Sequence, residues 1–219
     1  MSVDERRERL LDAAVRVMTR DGAGAATTRA VAAEAGMRVS TFHYCFASRD
    51  EMVAQVVQRL SASERLSIGA AIGPGKDLRA TVADAAEGFL QHLVAHPGDE
   101  QVLFELNHLA LRTPGLEHLA AAQYATYHEA AASVLQQVAD LTGSAWAVPV
   151  PELARLVVTI TDGVTTTWLA DRDTDAARAT LSTLLDLLLA HAAHGTDRTR
   201  ETSAAPAIES APATANRAG

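Results

Sequence analysis

The chain has 219 residues, 48% hydrophobic but only 4% aromatic, with one cysteine and a formal net charge of −8. That length suits one small and one medium domain, while the lone cysteine excludes an internal disulfide framework and fits a reducing cytosol. No apolar run reaches the length of a bilayer span and no secretory segment opens the chain, so a soluble, cytoplasmic protein without membrane association is expected. Strand-like alternation is nearly absent, so the expected fold class is all-α. The first predicted helix runs from about Val3 to Arg20, with Leu10, Leu11, Ala14, Val17 and Met18 on its apolar face. Asp21-Gly22-Ala23-Gly24 ends it.

Two short helical segments follow. Thr27 or Thr28 offers a hydroxyl to cap the first, Val31, Ala32 and Ala35 form its apolar stripe, and Gly36 stops it where positive φ costs little. The second carries Phe42 and Phe46 on an inward face and Arg38, Ser40, Thr41, His43 and Tyr44 on the outward one. Ser48-x-x-Glu51 is a capping box that starts the next helix, with Arg49 in its first turn. Two short helices around a tight glycine turn have the geometry of a helix-turn-helix. Charge agrees in sign: residues 1–50 hold eight Arg against seven acidic groups, the remainder eleven basic against twenty acidic. An acidic body on a locally basic head suits a reader of phosphate-lined duplex.

Over Arg6 to Val53 the pattern resembles the DNA-binding domain of TetR-family (tetracycline-repressor-like) transcriptional regulators. The residues that carry the resemblance are R-x-x-L-L-x-A-A at Arg7–Ala14, Gly22, Thr27, the run Val31–Gly36, Thr41-Phe42-His43-Tyr44-x-Phe46 and Ser48-Arg49-x-x-Met52. The chain departs from the family pattern at Arg38, Ser40 and His43, so the fold of the domain carries over and the base preference does not. The resemblance implies a three-helix DNA-binding head at residues 1–50. Thr27, Arg29, Thr41, Tyr44 and Arg49 are then expected near phosphates or groove edges, and Arg38, Ser40 and His43 at bases.

Beyond the head, a linking helix is predicted from Asp50 to about Ser67. The segment Gly69–Lys76 is the first clear loop and the expected flexible joint. It lacks the spacing of a phosphate-binding loop, because Asp77 stands where Ser or Thr must follow Lys76. Helices are then predicted over Leu78–Ala95, Glu100–Leu111, Leu116–Leu141, Pro151–Ala170 and Thr174–His194, with short connections that favour an antiparallel bundle. Residues 51–194 form the expected effector-binding and dimerisation domain. Residues 195–219, rich in Ala, Pro, Ser and Thr, are expected to be a disordered tail.

The last two helices are apolar on more than one side, so one side is expected to meet a second copy of the chain. Leu156, Ile160, Gly163, Leu181, Leu184, Leu185 and Leu188 are the interface candidates, and the family resemblance likewise implies a four-helix dimer contact there. Aromatic and hydrogen-bonding groups concentrate in the middle helices: Phe89, His92, Phe104, Asn107, His108, Tyr124, Tyr127, His128, Thr165 and Trp168. Such a set inside a bundle is what a small-molecule site requires. No Lys or Arg falls among them, so an uncharged or weakly acidic, lipophilic or aromatic effector is expected.

The competing reading is a helical-bundle metal protein or enzyme. Glu105-x-x-His108 is half of a di-iron motif that needs a second Glu-x-x-His, and the sequence has none. The pairs His92/His96 and His191/His194 sit at helix ends, where the dipole favours histidine, and no nucleophile elbow presents a catalytic serine. The reading reached is a one-component repressor, released from its operator by an effector, with no metal or cofactor and no catalytic residues. Its expected partners are double-stranded operator DNA, the effector and a second subunit. Only DNA binding is encoded visibly; the sign of regulation stays open.

Overall fold

The computed structural model describes residues 1–193, and they are helical almost throughout; the predicted tail at 195–219 lies outside them. The head comprises α1 (Val3–Asp21), a 3-10 turn at Ala23–Ala25, α2 (Thr28–Glu34) and α3 (Val39–Cys45). Local chemistry accounts for each boundary. Ser2 and Glu5 form a capping box at α1, Thr27 accepts the Ala30 N–H at 3.1 Å to start α2, and Gly36 turns the chain at φ +67°. α3 begins at Arg38 with no side-chain cap, and Ser40 does not substitute for one.

α4 (Arg49–Ala71) starts at Ser48, whose hydroxyl accepts the Glu51 N–H at 3.0 Å. The Glu51 carboxylate reaches back to Ala47 N–H at 2.7 Å and also takes Arg7 of α1. The guanidinium of Arg7 lies 4.9 Å from the Phe46 ring centre, so one arginine ties α1, α3 and α4 together. The predicted joint at Gly69–Lys76 is corrected here. Gly69 lies within α4, because Ala70 and Ala71 continue the helix and Ile72 is buried beyond its end. What connects head and body is thus a continuous helix of 23 residues.

The body holds α5 (Leu78–Ala95), α6 (Pro97–Arg112), α7 (Glu117–Thr142), α8 (Val150–Asp171) and α9 (Thr174–Ala190). A two-residue antiparallel pairing, Ala145–Trp146 with Ala192–Ala193, closes the far end. α6 begins earlier than predicted, since Pro97 at a first-turn position loses no hydrogen bond. Gly98 next to it is needed for packing: a Cβ there would lie 2.5 Å from Thr19 Cγ2 of α1.

Two cores result. The first joins Leu10, Met18, Val31, Phe42, Phe46, Met52 and Val56 of the head and α4 with Val102, Leu103 and Leu106 of α6. The second joins Phe89, Leu90, Leu135, Val164 and Trp168 with Leu181, Leu184, Leu185 and Leu188. The assignment of those four leucines to a subunit interface is therefore corrected. They are buried within the subunit, on the face by which α9 packs on α5 and α8. Leu156 and Ile160 are only half-buried and Gly163 is exposed.

Phe46 is 1% exposed and lies 5.2 Å from Phe42, ring centre to ring centre. Phe46→Ala should destabilise the protein by about 3–5 kcal/mol through lost burial and an unfilled cavity. The measurement is urea unfolding followed by circular dichroism; a loss below roughly 1 kcal/mol would contradict this packing.

Candidate functional site

Two sites emerge, one on the head and one inside the body. On the head, Phe42, Cys45 and Phe46 anchor α3 from beneath, leaving Arg38, Ser40, His43 and Tyr44 exposed and Thr41 half-buried. Thr27 and Arg29 are exposed on the neighbouring α2 side. Charge is sorted around this face. Arg16 and Arg20 both pair with Glu34, whose carboxyl is held below its ordinary range first by the Arg16 hydrogen bond and then by Arg20. Arg29 and Arg38 form no ion pair among the described residues, so two uncompensated guanidinium groups flank α3.

Arg49 behaves differently from expectation. Its Nε donates to Ala26 O at 2.9 Å and its Nη2 to Ala23 O at 3.0 Å. Those bonds tie Arg49 to the chain connecting α1 and α2 and give it a structural role. Cys45 is buried on the side opposite the exposed His43.

In the body, α4 to α9 line a partly open cavity of about 140 Å³, close to the roughly 150 Å³ that suffices for a benzene ring. Of the expected residues, Phe89, Phe104, Asn107, Tyr124, Tyr127 and Thr165 line it. The other four do not. His92 is buried with Nδ1 3.1 Å from Ser67 Oγ and its ring against His96; burial, and then His96, pushes its pKa down. His108 is exposed, its Nδ1 3.0 Å from Phe104 O on its own helix. His128 is half-buried, its ring 6.3 Å from that of Tyr124. Trp168 is core: its Nε1 donates to Thr174 Oγ1 at 3.0 Å, and Arg172 stacks on its ring. The half-motif also separates, because Glu105 turns away to accept the Ala23 N–H at 2.6 Å. No group of three or more His, Cys, Asp or Glu among the described residues is placed to hold a metal ion.

The cavity also contains what hydropathy missed: Ser61, Glu64, Glu100, Gln123 and Asp162. Tyr124 Oη donates to Asp162 Oδ2 at 2.6 Å. Gln123 Nε2 donates to Leu103 O at 3.1 Å and to Tyr127 Oη at 2.6 Å. Asn107 Oδ1 and Ser61 Oγ are buried with no partner. Burial, reinforced by Asp162, pushes the Glu64 carboxyl up to about 7. Burial, then Glu64 and its other acidic neighbours, pushes Glu100 up to about 8. Asp162 is raised mainly by burial, against the lowering effect of the Tyr124 hydrogen bond and His128. Three carboxyl groups therefore line a site for which an uncharged or weakly acidic effector was expected. A signal existed in the sequence. Glu64, Glu100 and Asp162 fall three or four residues from Ser61, Leu103 and Thr165, on the inward stripes of α4, α6 and α8.

Raised carboxyls have a consequence for stability. Groups that bind protons more tightly folded than unfolded stabilise the fold at low pH and lose that contribution as pH rises from about 4.5 toward 8. Glu34 and Glu87, both lowered, act in the opposite sense and only below their ordinary range. The melting temperature should therefore fall between pH 5 and 8, and Glu100→Gln should flatten that slope and raise the pH 8 value. A slope identical in wild type and variant would contradict the burial of this carboxyl.

Comparison with known proteins agrees with this architecture. Residues 10–56 match the model of bacterial regulatory proteins of the tetR family. Residues 77–191 match that of the tetracyclin repressor-like C-terminal domain. The HTH-type nicotine-responsive transcriptional repressor HdnoR of Paenarthrobacter nicotinovorans is 27% identical over 189 residues, 86% of this chain and 96% of that protein. A TetR-family structure from Streptomyces coelicolor A3 is similar with a TM-score of 0.63 at 26% identity, covering 82% of this chain and 98% of that one. The multidrug binding protein EbrR, solved with imidazole, aligns with a TM-score of 0.59 at 26% identity over 82% of this chain and 94% of its own. With both halves matched in order, a reading head in front and a lined cavity behind, this chain belongs to the TetR family and is a ligand-responsive, DNA-binding transcriptional regulator.

Proposed function

We propose that the protein acts in the cytoplasm as a homodimeric repressor whose grip on operator DNA is loosened by a small ring-bearing effector held in the body cavity. The observation that carries the reading is the position of α6. Its Glu100, Phe104 and Asn107 line the cavity, while Val102 and Leu106 sit in the head's core and Glu105 accepts the Ala23 N–H. A ligand that shifts α6 must move the head or break those contacts. Any weakening of DNA binding by the ligand is matched by an equal weakening of ligand binding by DNA. The relative named for its response to nicotine supports a small heteroaromatic effector, in keeping with the cavity's size.

On DNA, Thr27, Arg29 and Tyr44 serve as phosphate contacts, and Arg38, Ser40 and His43 as readers of base edges in the major groove. For assembly, the outer faces of α8 and α9 offer Leu156, Ile160 and Gly163, joined by Leu187, which is 43% exposed. The exposed threonines between them add apolar surface. Thr159, Thr167, Thr180 and Thr183 donate to carbonyls four residues back at 2.8–3.2 Å, which leaves their methyl groups outward. Two-fold pairing there sets two heads on one face of DNA, about one helical turn or 34–36 Å apart.

Each part has its own test. Arg29→Ala should weaken binding to every sequence and reduce the salt slope by about one phosphate contact, whereas His43→Ala should reorder preference among sites. Fluorescence anisotropy on DNA flanking the coding region, at several salt concentrations, reads both; an unchanged slope for Arg29→Ala removes this docking. A Cβ at Gly163 meets nothing within 4 Å in the subunit. Gly163→Arg should therefore fold normally yet sediment as a monomer at micromolar concentration and lose operator binding. A Gly163→Arg variant that stays dimeric moves the interface elsewhere.

A further inference from the structure

We propose that the effector is an organic monocation, its ring body filling the cavity and its positive charge held among Glu64, Glu100 and Asp162. The inference rests on the reading of that cavity as the sensor site and specifies the class of molecule it takes.

The three carboxylates come from three different helices, α4, α6 and α8, and all line one cavity whose remaining wall is largely aliphatic and aromatic. Neither Glu64 nor Glu100 accepts a hydrogen bond or meets a cation within ion-pair distance among the described residues. The one basic residue in the lining, Arg65, is exposed and makes no ion pair among them. Buried like charges without a counter-ion are unfavourable, and either protons or a cation must relieve them. A second observation points to a ligand independently. Asn107 is 8% and Ser61 4% exposed, and Asn107 Oδ1 and Ser61 Oγ line the same space with no partner. An unpartnered amide oxygen is a waiting acceptor for an N–H donor. Tyr124, Tyr127, Phe89 and Phe104 supply ring faces, which attract cations as well as rings. The apolar wall, and the absence among the described residues of any cluster able to ligate a metal, make the cation organic.

Cation binding is then an exchange for protons. Around the carboxylates stand Arg65 on α4, Asp99 on α6, Tyr124, Tyr127 and His128 on α7, with no charged group in the lining from α5 or α9. Burial keeps Glu64 and Glu100 partly protonated near neutrality in the empty site. An arriving cation favours their ionised forms and expels a proton, so affinity should rise with pH until both are ionised.

The test uses three probes of one shape and different charge: phenethylammonium, 2-phenylethanol and phenylacetate. Each is titrated calorimetrically into the full-length protein and scored for release of operator DNA. At pH 7.5 the ammonium should bind at least about tenfold more tightly than the alcohol, and the acid weakest of all. Its affinity should rise from pH 6 to 8 by up to about tenfold per unit for each proton expelled, with a heat that depends on the buffer. Glu64→Gln and Glu100→Gln should narrow the charge preference and flatten the pH dependence, with the melting temperature confirming the fold. Alcohol or acid binding as well as the ammonium, abolished by the cavity-filling variant Ala86→Trp, would overturn the charge assignment and leave the sensor cavity standing. Binding that survives Ala86→Trp, or saturation by none of the three at millimolar concentration, would overturn both.

Discussion

Everything in this molecule turns on α6 being shared. Most helices here belong to one core, but α6 gives Val102 and Leu106 to the head and Glu100 and Asn107 to the cavity. Close-packed interiors do not deform smoothly, so a displacement on one face of such a helix appears on the other. Two features make the contact intolerant of slack. Glu105 holds the backbone N–H that follows α1, and Gly98 brings the start of α6 against Thr19 with no room for a Cβ. α4, running unbroken from head to body, supplies the second rigid connection. A hundredfold loss of operator affinity corresponds to about 2.7 kcal/mol of coupling, which a few contacts of this kind can carry.

The cavity gains meaning from its cost. Glu64, Glu100 and Asp162 would be more comfortable as leucines in a bundle that only had to fold, since apolar replacements of buried charges are often neutral or stabilising. They stand beside unpartnered Asn107 and Ser61, so this part of the body is not optimised for stability alone. The head shows the opposite economy: Arg7, Glu51, Gln55 and Phe46 satisfy one another, and Arg49 holds two backbone carbonyls. In the proposed switch, a rigid head transmits a shift in α6 rather than absorbing it.

What could be read from sequence was what local chemistry decides. The hydroxyl of Thr27, the glycine at 36 and the Ser48 cap each act within a few residues, and the structure has them as expected. Proline and glycine punctuation placed most body helices within a few residues. Tertiary packing decides the rest. Leu181, Leu184, Leu185 and Leu188 were rightly seen as buried, but which neighbour buries them depends on how α9 lies against α5 and α8. His92, His108, His128 and Trp168 were chosen for chemistry, while rotation of each helix decides which groups face inward. Charge usually signals solvent, so composition hides Glu64, Glu100 and Asp162, although their spacing puts them on the inward stripe.

A protein of net charge −8 can use charge twice. In the proposed docking, the exposed acidic excess of the body is repelled by the phosphates, and Arg29 and Arg38, without ion pairs among the described residues, leave α3 as the face for the duplex. Inside, the same sign of charge acts at short range and low dielectric, where it is felt far more strongly than on the surface. A carboxylate in solvent is screened by salt within about 8–10 Å, but Glu100 sits where screening fails and its neighbours raise its proton affinity. On the proposed function, the two sites respond to different variables. DNA binding at the head should follow ionic strength, and occupancy of the cavity should follow pH and the charge of the guest, with α6 the element through which one is converted into the other.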